Sequence, residues 1–183
     1  QAMIWRGPMA SQALEQLIHQ TRWEGLDYLI VDMPPGTGDI QLTMAQKVPL
    51  TGAVIVTTPQ DIALLDAKKG ITMFQKVNVP VLGLIENMAV HVCSQCGHHE
   101  HIFGHEGGKR LAQQLGMDYL GALPLALSIR TQADAGRPSV VAEPEGEIAQ
   151  LYRQMARTLA AKVAQQGTDL APKFPTITIS KRS

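Results

Sequence analysis

The stretch Tyr28–Asp39, which reads YLIVDMPPGTGD, decides the fold. It opens with a continuous apolar run that ends in Asp32, and such a run predicts a strand buried on both faces of a parallel sheet. In open α/β sheets ligands bind at the carboxyl ends of the strands, where Asp32 would emerge. Two prolines and two glycines follow around a hydroxyl, so this loop can bring main-chain amides close to a phosphate. The simpler alternative is a tight turn that leads into a helix capped by Asp39.

Strand and helix patterns alternate along the rest of the chain. The predicted strands are Tyr28–Asp32, Ala53–Thr57, Val81–Glu86 and Tyr119–Leu123. The predicted helices are Ser11–Thr21, Asp61–Val77 (with a cap at Asp61), Lys109–Leu115 and Glu147–Val163. This alternation predicts an α/β fold, in which right-handed βαβ units build a doubly wound, mostly parallel sheet with flanking helices.

The chain divides into one domain and a tail. We expect a single domain over residues 1–165 and a flexible tail over 166–183, with a short edge strand at Thr176–Ile179. The segment 91–105 interrupts the α/β rhythm and holds both cysteines and five of the six histidines. The first residue is Gln1 rather than Met, so we expect the natural start to lie upstream.

Composition excludes some classes of function. The 183 residues are 45% hydrophobic and 17% charged, which is ordinary for a globular protein. Acidic and basic residues balance at 16 each, so no net charge favours nucleic acid or an anionic membrane. The apolar runs are too short to span a bilayer, and no secretory leader is seen. We therefore expect a cytoplasmic protein with neither nucleic acid nor membrane as a partner.

Cys93 and Cys96 form a Cys-x-x-Cys pair. In a cytosolic chain this spacing indicates metal or redox chemistry rather than a structural disulfide. A thioredoxin-like redox pair is disfavoured because the motif follows a strand and does not open a helix. Two readings stay open on the residues alone, namely two unligated surface cysteines or a structural zinc site completed by nearby histidines. Those histidines are His91, His98, His99 and His101.

Several further motifs occur one after another along the chain. They are Trp5–Pro8, Leu26–Tyr28, Asp32–Asp39, Thr57–Asp61, Glu86–Met88 and Gly121–Pro124. Together with Cys93-x-x-Cys96 they resemble the Mrp/ApbC family of iron–sulfur cluster carriers. This family is a branch of the deviant-Walker P-loop ATPases, which include MinD, ParA and the nitrogenase iron protein. The resemblance runs from about Met3 to Pro138 and implies a P-loop NTPase-like fold.

The resemblance implies roles in ATP hydrolysis for the first stretch. Asp32 would be the Walker B acid that holds Mg²⁺. Gly36, Thr37 and Gly38 would belong to the switch loop that senses the γ-phosphate. Asp39 would position or activate the attacking water.

The family resemblance also implies a site for the nucleotide base further along the chain. Asn87 would recognise adenine, because its amide offers both a donor and an acceptor to the base edge. Pro124 and Leu125 would form an apolar wall beside the base.

One part of the family pattern is absent from this sequence. Nothing matches the P-loop Gly-Lys-Gly-Gly-Val-Gly-Lys-Thr/Ser, which the family order would place, with its N-terminal strand, upstream of Trp5. The Gly-Gly-Lys at Gly107–Lys109 lacks the preceding strand, the spacing and the hydroxyl of a P-loop. The resemblance implies a weak ATPase, yet we expect this chain alone to bind ATP weakly or not at all and to be inactive.

The resemblance implies a [4Fe–4S] cluster that bridges a homodimer. Such a cluster needs four thiolates, and one chain supplies two, so a two-fold symmetric pair of chains supplies the full set. The histidines would then not act as ligands, and His98, His99 and His101 would form a solvated loop. The implied function is a carrier that transfers its cluster to apo-proteins, coupled to ATP binding and hydrolysis in the intact protein.

Two other functions remain open. One is a MinD/ParA-like positioning ATPase whose Cys-x-x-Cys loop binds zinc for structure. The other is a non-enzymatic metal-binding module that acts only through a partner chain.

Overall fold

The computed structural model describes residues 7–33, 36, 38–93 and 95–166. The predictions for Thr37 and for the tail after Gln166, and the first two residues of the motif Trp5–Pro8, therefore lie outside the described residues. Helices and strands follow in the order α1 Gly7–Gln20, α2 Asp39–Lys47, β1 Ala53–Thr57, α3 Asp61–Lys76, β2 Val81–Glu86, β3 His91–Val92, β4 His99–Glu100, α4 Gly107–Gln114, β5 Tyr119–Ala122, α5 Leu127–Asp134, α6 Ser139–Ala142 and α7 Glu147–Gln165.

The central sheet contains three parallel strands in the order β1-β2-β5. All three were predicted from apolar runs without alternation, and they end within one residue of the predicted bounds. Thr57 pairs with Glu86, and Glu86 pairs with Ala122, so the three strands end side by side. The α/β fold with a parallel sheet and flanking helices is thus confirmed.

The hydrophobic core lies between the sheet and two crossover helices. Right-handed crossovers place α3 and α4 on the same face of the sheet. Ile55 and Leu84 point from the strands into this face, where they meet Ile71 of α3 and Leu111 of α4. Leu84 and Ile71 are 0% and 1% exposed, so this layer is fully excluded from water.

Helix α7 covers part of the other face. Gly121 of β5 pairs with Ile85, whose side chain points away from that of Leu84. Met155 of α7 is buried against Gly121, where an added Cβ would lie 3.0 Å from the methionine Cγ. A glycine at this position lets the helix approach the strand closely.

The predicted strand Tyr28–Asp32 is wrong. Residues 28–33 have no regular secondary structure, and Tyr28, Leu29 and Ile30 are 53%, 43% and 77% exposed. A strand exists only where a neighbour pairs with its backbone groups, and among the described residues no strand pairs with this run. The prediction that both faces of the sheet are covered also fails at β1, where Val56 is 60% exposed.

The predicted helices are confirmed with small shifts of their ends. Helix α3 begins at Asp61, but the residue that precedes it as N-cap is Gln60, so the predicted cap at Asp61 is wrong. Asp61 instead stands in the first turn, where a carboxylate is favoured by the helix dipole. Helix α2 corresponds to the alternative of a helix at Asp39, although its N-cap is Gly38, and helices α5 and α6 had not been predicted. Across the described part of the chain, no helix is both long and apolar enough to cross a bilayer.

Candidate functional site

The carboxyl ends of the three strands form one edge of the sheet, and two segments extend from it. The N–H of Asn87 donates to the carbonyl of Thr57 at 2.7 Å, and the N–H of Leu123 donates to the carbonyl of Glu86 at 2.9 Å. Beyond the sheet, the N–H of Ala89 donates to the carbonyl of Leu123 at 3.0 Å. These bonds continue the β2–β5 pairing past the last strand residues. We call the two segments 87–90 and 123–125 the sheet-end segments.

The sheet-end segments bring together the three residues predicted to bind the base. Asn87 lies just after β2, while Pro124 and Leu125 lie in the parallel segment beside it, and all three are half-buried. The N–H of Leu125 donates to the carbonyl of Val90 at 2.8 Å, which holds the apolar pair in place. Parallel strands end at the same edge, which explains why residues 37 positions apart in the sequence meet here.

The side chain of Asn87 is already oriented by a local hydrogen bond. Its Oδ1 accepts the N–H of Met88 at 3.0 Å, and Met88 has a φ of 55°. One lone pair of Oδ1 is used in this bond, and the other stays available to an outside donor. The Nδ2 group donates to no described residue, so the amide can offer both of the groups that adenine recognition requires.

The structure does not place the predicted catalytic residues at a strand end. Asp32 is exposed in an irregular segment, and no described hydrogen bond or ion pair links it to the sheet-end segments. Gly36 is exposed with a φ of 102°, a conformation that favours glycine. Gly38 is the N-cap of α2, and Asp39 is the first residue of that helix. The roles of Asp32, Gly36, Gly38 and Asp39 therefore remain predictions.

The Gly107–Gly108 pair is unsuited to phosphate. The N–H of Gly108 donates to the carboxylate of Glu86, so it is not free for an anion. An added Cβ at Gly107 would lie 2.5 Å from the carbonyl oxygen of Pro59, which shows that α4 begins in tight contact with the loop after β1. These contacts agree with the sequence argument that this pair is not a P-loop. The Gly107–Gly108 pair therefore offers no free cradle for a phosphate.

The two cysteines lie at the tip of a short β-hairpin. Strands β3 and β4 pair antiparallel through His91 with Glu100 and through Val92 with His99. The N–H of Cys93 donates to the carbonyl of His98 at 2.9 Å. We call residues 91–100 the cysteine hairpin. The sequence indicated an interruption here but not the hairpin.

The turn of the hairpin places the Cys96 thiol within hydrogen-bond reach of the Cys93 sulfur. The N–H of Gly97 donates to the carbonyl of Cys93 at 2.8 Å, and Gly97 adopts a φ of 70° that favours glycine. Cys93 is half-buried, Cys96 is exposed, and neither forms a disulfide. The main-chain N–H groups of Gln95 and Cys96, followed by the thiol of Cys96, donate to the Cys93 sulfur and lower the pKa of Cys93.

A thiolate that is already held by main-chain donors is suited to bind a metal. The thiolate is the form of cysteine that ligates, and a lowered pKa makes it more abundant at neutral pH. Desolvation and the nearby Glu100 carboxylate act in the opposite direction on the Cys93 pKa. The pair can therefore offer two soft sulfur ligands to a metal or cluster.

The histidines do not complete a metal site with these cysteines. Within the described ranges, no group of three or more His, Cys, Asp or Glu side chains is arranged to hold a metal ion. His98, His99 and His101, the predicted solvated loop, are all exposed, and His101 in addition makes a side-chain contact. Its Nδ1 lies 2.9 Å from the carbonyl oxygen of Ala89, and its ring makes an edge contact with His105 at 4.4 Å between centroids. His91 is also engaged, since its Nδ1 lies 3.2 Å from the carbonyl oxygen of Leu125.

In the sequence, Glu86 was recognised only as part of a strand and of the motif Glu86–Met88, and no role of its own was predicted for it. This carboxylate is 1% exposed and accepts the N–H of Gly108 at the start of α4. The signal in the sequence was an acidic residue at the end of an otherwise apolar strand, followed by a Gly-Gly pair about 20 residues later. A buried carboxylate requires such a donor, so the two features belong together.

Residues 1–160 match the ParA family described as NUBPL iron-transfer P-loop NTPase. The chain belongs to this family. It is 64% identical over 156 residues to an iron-sulfur cluster carrier protein of Pseudomonas fragi, with 85% of this chain and 54% of the relative covered. It is 53% identical over 161 residues to the iron-sulfur cluster transfer protein NUBPL of Mus musculus, with 88% and 50% covered. The chain therefore spans about half the length of these relatives.

Solved structures of P-loop NTPases share the fold. A nucleotide-binding protein from Archaeoglobus fulgidus, solved in complex with ADP, is 35% identical with a TM-score of 0.64, and the match covers 75% of this chain and 55% of that one. The cell division ATPase MinD of Pyrococcus furiosus is 20% identical with a TM-score of 0.62, covering 87% and 63%. At that identity the MinD likeness shows the fold alone.

Proposed function

We propose that this chain is the cluster-holding part of an iron–sulfur cluster carrier. In this proposal Cys93 and Cys96 bind one side of a [4Fe–4S] cluster, and a second copy of the chain binds the other side. The cluster is cargo that passes to apo-proteins. The observation that carries the proposal is the cysteine hairpin, which presents two free thiols three residues apart at its tip.

The number of thiols supports a shared site. An iron–sulfur cluster usually takes four cysteine ligands, and this chain has two cysteines in all. With no third ligand near them among the described residues, the remaining corners must come from another molecule. Cys96 is exposed, so a bound cluster would lie at the surface, where a recipient can reach it. Family membership and the names of two close relatives point the same way.

The proposal includes nucleotide control in the intact protein. Asn87, Pro124 and Leu125 would bind adenine at the sheet end. The 35% identical archaeal protein was solved in complex with ADP, which supports the binding of a nucleotide. Asp32 would hold Mg²⁺ and Asp39 would act on the attacking water. Bound ATP supplies phosphates that can order a switch loop and so change how two copies meet.

The switch loop in this proposal comprises Gly36, Thr37 and Gly38. We further propose that the protein works in the cytoplasm, because free thiols persist in a reducing compartment.

Anaerobic reconstitution with iron and sulfide tests the proposal. We expect a chromophore with about four irons per two chains and a mass in solution that doubles when the cluster forms. Cys93→Ala and Cys96→Ala should each abolish the chromophore. Gln95→Ala is the matched control, because it lies in the same turn and keeps its main-chain N–H. One zinc per chain without iron uptake, or a monomer that keeps its cluster, would overturn the proposal.

The nucleotide part is tested separately. Asp32→Ala in the intact, P-loop-containing protein should reduce ATP hydrolysis and leave the cluster in place. Hydrolysis at the wild-type rate would show that Asp32 is not the Walker B acid. Asn87→Ala should weaken ADP binding, and Gln95→Ala serves again as the control.

A further inference from the structure

The cysteine hairpin cannot hold its own orientation. Its ladder consists of two residue pairs, His91 with Glu100 and Val92 with His99. An isolated two-stranded hairpin is at best marginally stable in water. Contacts outside the hairpin must therefore decide where the two thiols point.

Both arms of the hairpin are attached to the sheet-end segments. On the first arm, His91 forms a parallel bridge with Leu125, and its Nδ1 lies 3.2 Å from the Leu125 carbonyl oxygen. On the second arm, His101 follows β4 directly, and its Nδ1 lies 2.9 Å from the Ala89 carbonyl oxygen. Each arm thus ends in one imidazole that reaches a main-chain carbonyl.

The chemistry of these contacts fixes the proton on each ring. A carbonyl oxygen only accepts, so the Nδ1 of each histidine must carry the hydrogen and donate it. The carbonyl of Ala89 lies two residues after Asn87, and that of Leu125 lies one residue after Pro124. The His101 ring is further held by its edge contact with His105.

We infer that His91 and His101 are positioning residues for the cluster site, which clamp the cysteine hairpin to the sheet-end segments through their Nδ1–H groups. This inference rests on the proposed function, since it assigns these histidines to the orientation of the cluster ligands and not to ligation. It also gives a direct connection between the base-binding residues and the thiols. A displacement of either sheet-end segment would be carried to the hairpin through these two bonds.

Hydrogen exchange on the cluster-free chain tests the clamp without relying on the cargo. His101→Leu removes the donor and keeps the bulk, so exchange at the N–H groups of Cys93 and Gly97 should become about fivefold faster, the effect of losing one net hydrogen bond. His101→Asn should restore slow exchange, because its amide can donate from nearly the same place as Nδ1. His98→Leu is the control, because His98 is exposed and its side chain bonds to no described residue. Exchange in α7 should not change in any variant.

The same variants, reconstituted with the cluster, give a second measurement. Cluster loss to an iron chelator should be about fivefold faster for His101→Leu than for the wild type and normal for His101→Asn. His91→Leu should behave like His101→Leu.

The possible outcomes separate the clamp from the proposed function. Unchanged exchange in both leucine variants would overturn the clamp, and faster exchange throughout α7 would show a general structural role instead. Local loosening in a chain that takes up no iron would support the clamp and overturn the carrier proposal. Local loosening together with cluster loss at the wild-type rate would overturn the assignment of these histidines to the cluster site.

Discussion

The main-chain N–H of Gly108 donates a hydrogen bond to the carboxylate of Glu86, which joins the first turn of α4 to the end of β2. Glu86 is 1% exposed, and the positive end of the helix dipole stabilises its charge there. The contact is close, because an added Cβ at Gly108 would lie 2.8 Å from Cδ2 of Leu84 and 2.9 Å from Oε2 of Glu86. The carbonyl of Glu86 also accepts the N–H of Leu123, so the Gly108 bond lies directly beside the start of the sheet-end segments.

Gly108→Ala should destabilise the protein by about 1–3 kcal/mol, the usual cost of forcing an extra methyl group into a packed core. The measurement is denaturant unfolding followed by circular dichroism. Gly70→Ala in α3 is the matched control, since its Cβ would meet only Cδ1 of Ile55 at 3.8 Å. That variant should be stabilised by up to about 1 kcal/mol through helix propensity. Equal stability of the two variants would contradict the close packing at Gly108.

Glu86→Ala should cost about 2–4 kcal/mol, because it leaves the Gly108 N–H buried without an acceptor and opens a cavity. Glu86→Gln keeps an oxygen for Gly108 and should cost about 1 kcal/mol or less. The comparison is made by urea unfolding at neutral pH. Equal losses of unfolding free energy in the two variants would mean that Glu86 stabilises the protein through its negative charge and not through its hydrogen bond to Gly108.

The sequence allowed the sheet to be predicted wherever strands pair with one another. The runs 53–57, 81–86 and 119–123 were recognised because their apolar residues do not alternate, and the structure pairs them in parallel. The run at Tyr28–Val31 has the same composition but remains irregular, with Ile30 77% exposed. An apolar run shows that a segment can be buried in a sheet. Whether the segment forms a strand also depends on a neighbouring strand, which the residues of the segment do not reveal.

One half of the candidate site, the meeting of the two sheet-end segments, was predictable from the sequence. Asn87, Pro124 and Leu125 come together because parallel strands end at one edge. The cysteine hairpin and its histidine contacts were not predictable, because its two-residue strands have no periodicity that can be read. His101 looked like one of several polar loop residues, and only its distance to Ala89 distinguishes it.

Tyr119 should make the protein less stable at alkaline pH. Burial, followed by the charges of Glu86 and Glu106, raises the pKa of Tyr119 to about 12, above the value of about 10 in an unfolded chain. Between these values the unfolded chain has lost the phenolic proton and the folded chain keeps it. The unfolded state thus binds fewer protons, so this contribution to stability is complete below about pH 10 and falls as the pH rises towards 12.

Tyr119→Phe should therefore lose stability less steeply than the wild type from about pH 10 upward. Urea unfolding at a series of pH values measures the slope. Tyr28→Phe, in an exposed irregular segment, is the control and should keep the wild-type slope. A Tyr119→Phe slope equal to that of the wild type would contradict a raised pKa at this phenol.

Cys93 should react with an alkylating reagent at a lower pH than an ordinary thiol. The main-chain N–H of Gln95 is the largest cause that lowers the pKa of Cys93, and the charge of Glu100 acts against it. The pKa of Cys93 is lower in the folded chain than in the unfolded chain. The thiolate therefore stabilises the fold at a pH above the unfolded-state pKa, and this stabilisation is lost as the pH falls through the folded-state pKa. The measurement is the rate of iodoacetamide labelling of Cys93 against pH in the cluster-free chain, followed by mass spectrometry.

Two substitutions identify the causes of the Cys93 shift. Glu100→Gln should move the labelling midpoint of Cys93 to still lower pH, because a carboxylate that opposes the thiolate is removed. Gln95→Pro removes the main-chain donor and should move the midpoint upward, whereas Gln95→Ala keeps the donor and should leave it unchanged. If Cys93 in the folded chain labels with the same midpoint as in a denatured chain, the turn does not hold the thiolate. The hairpin would then present two ordinary thiols, and ligation would have to supply all of the free energy that deprotonates them.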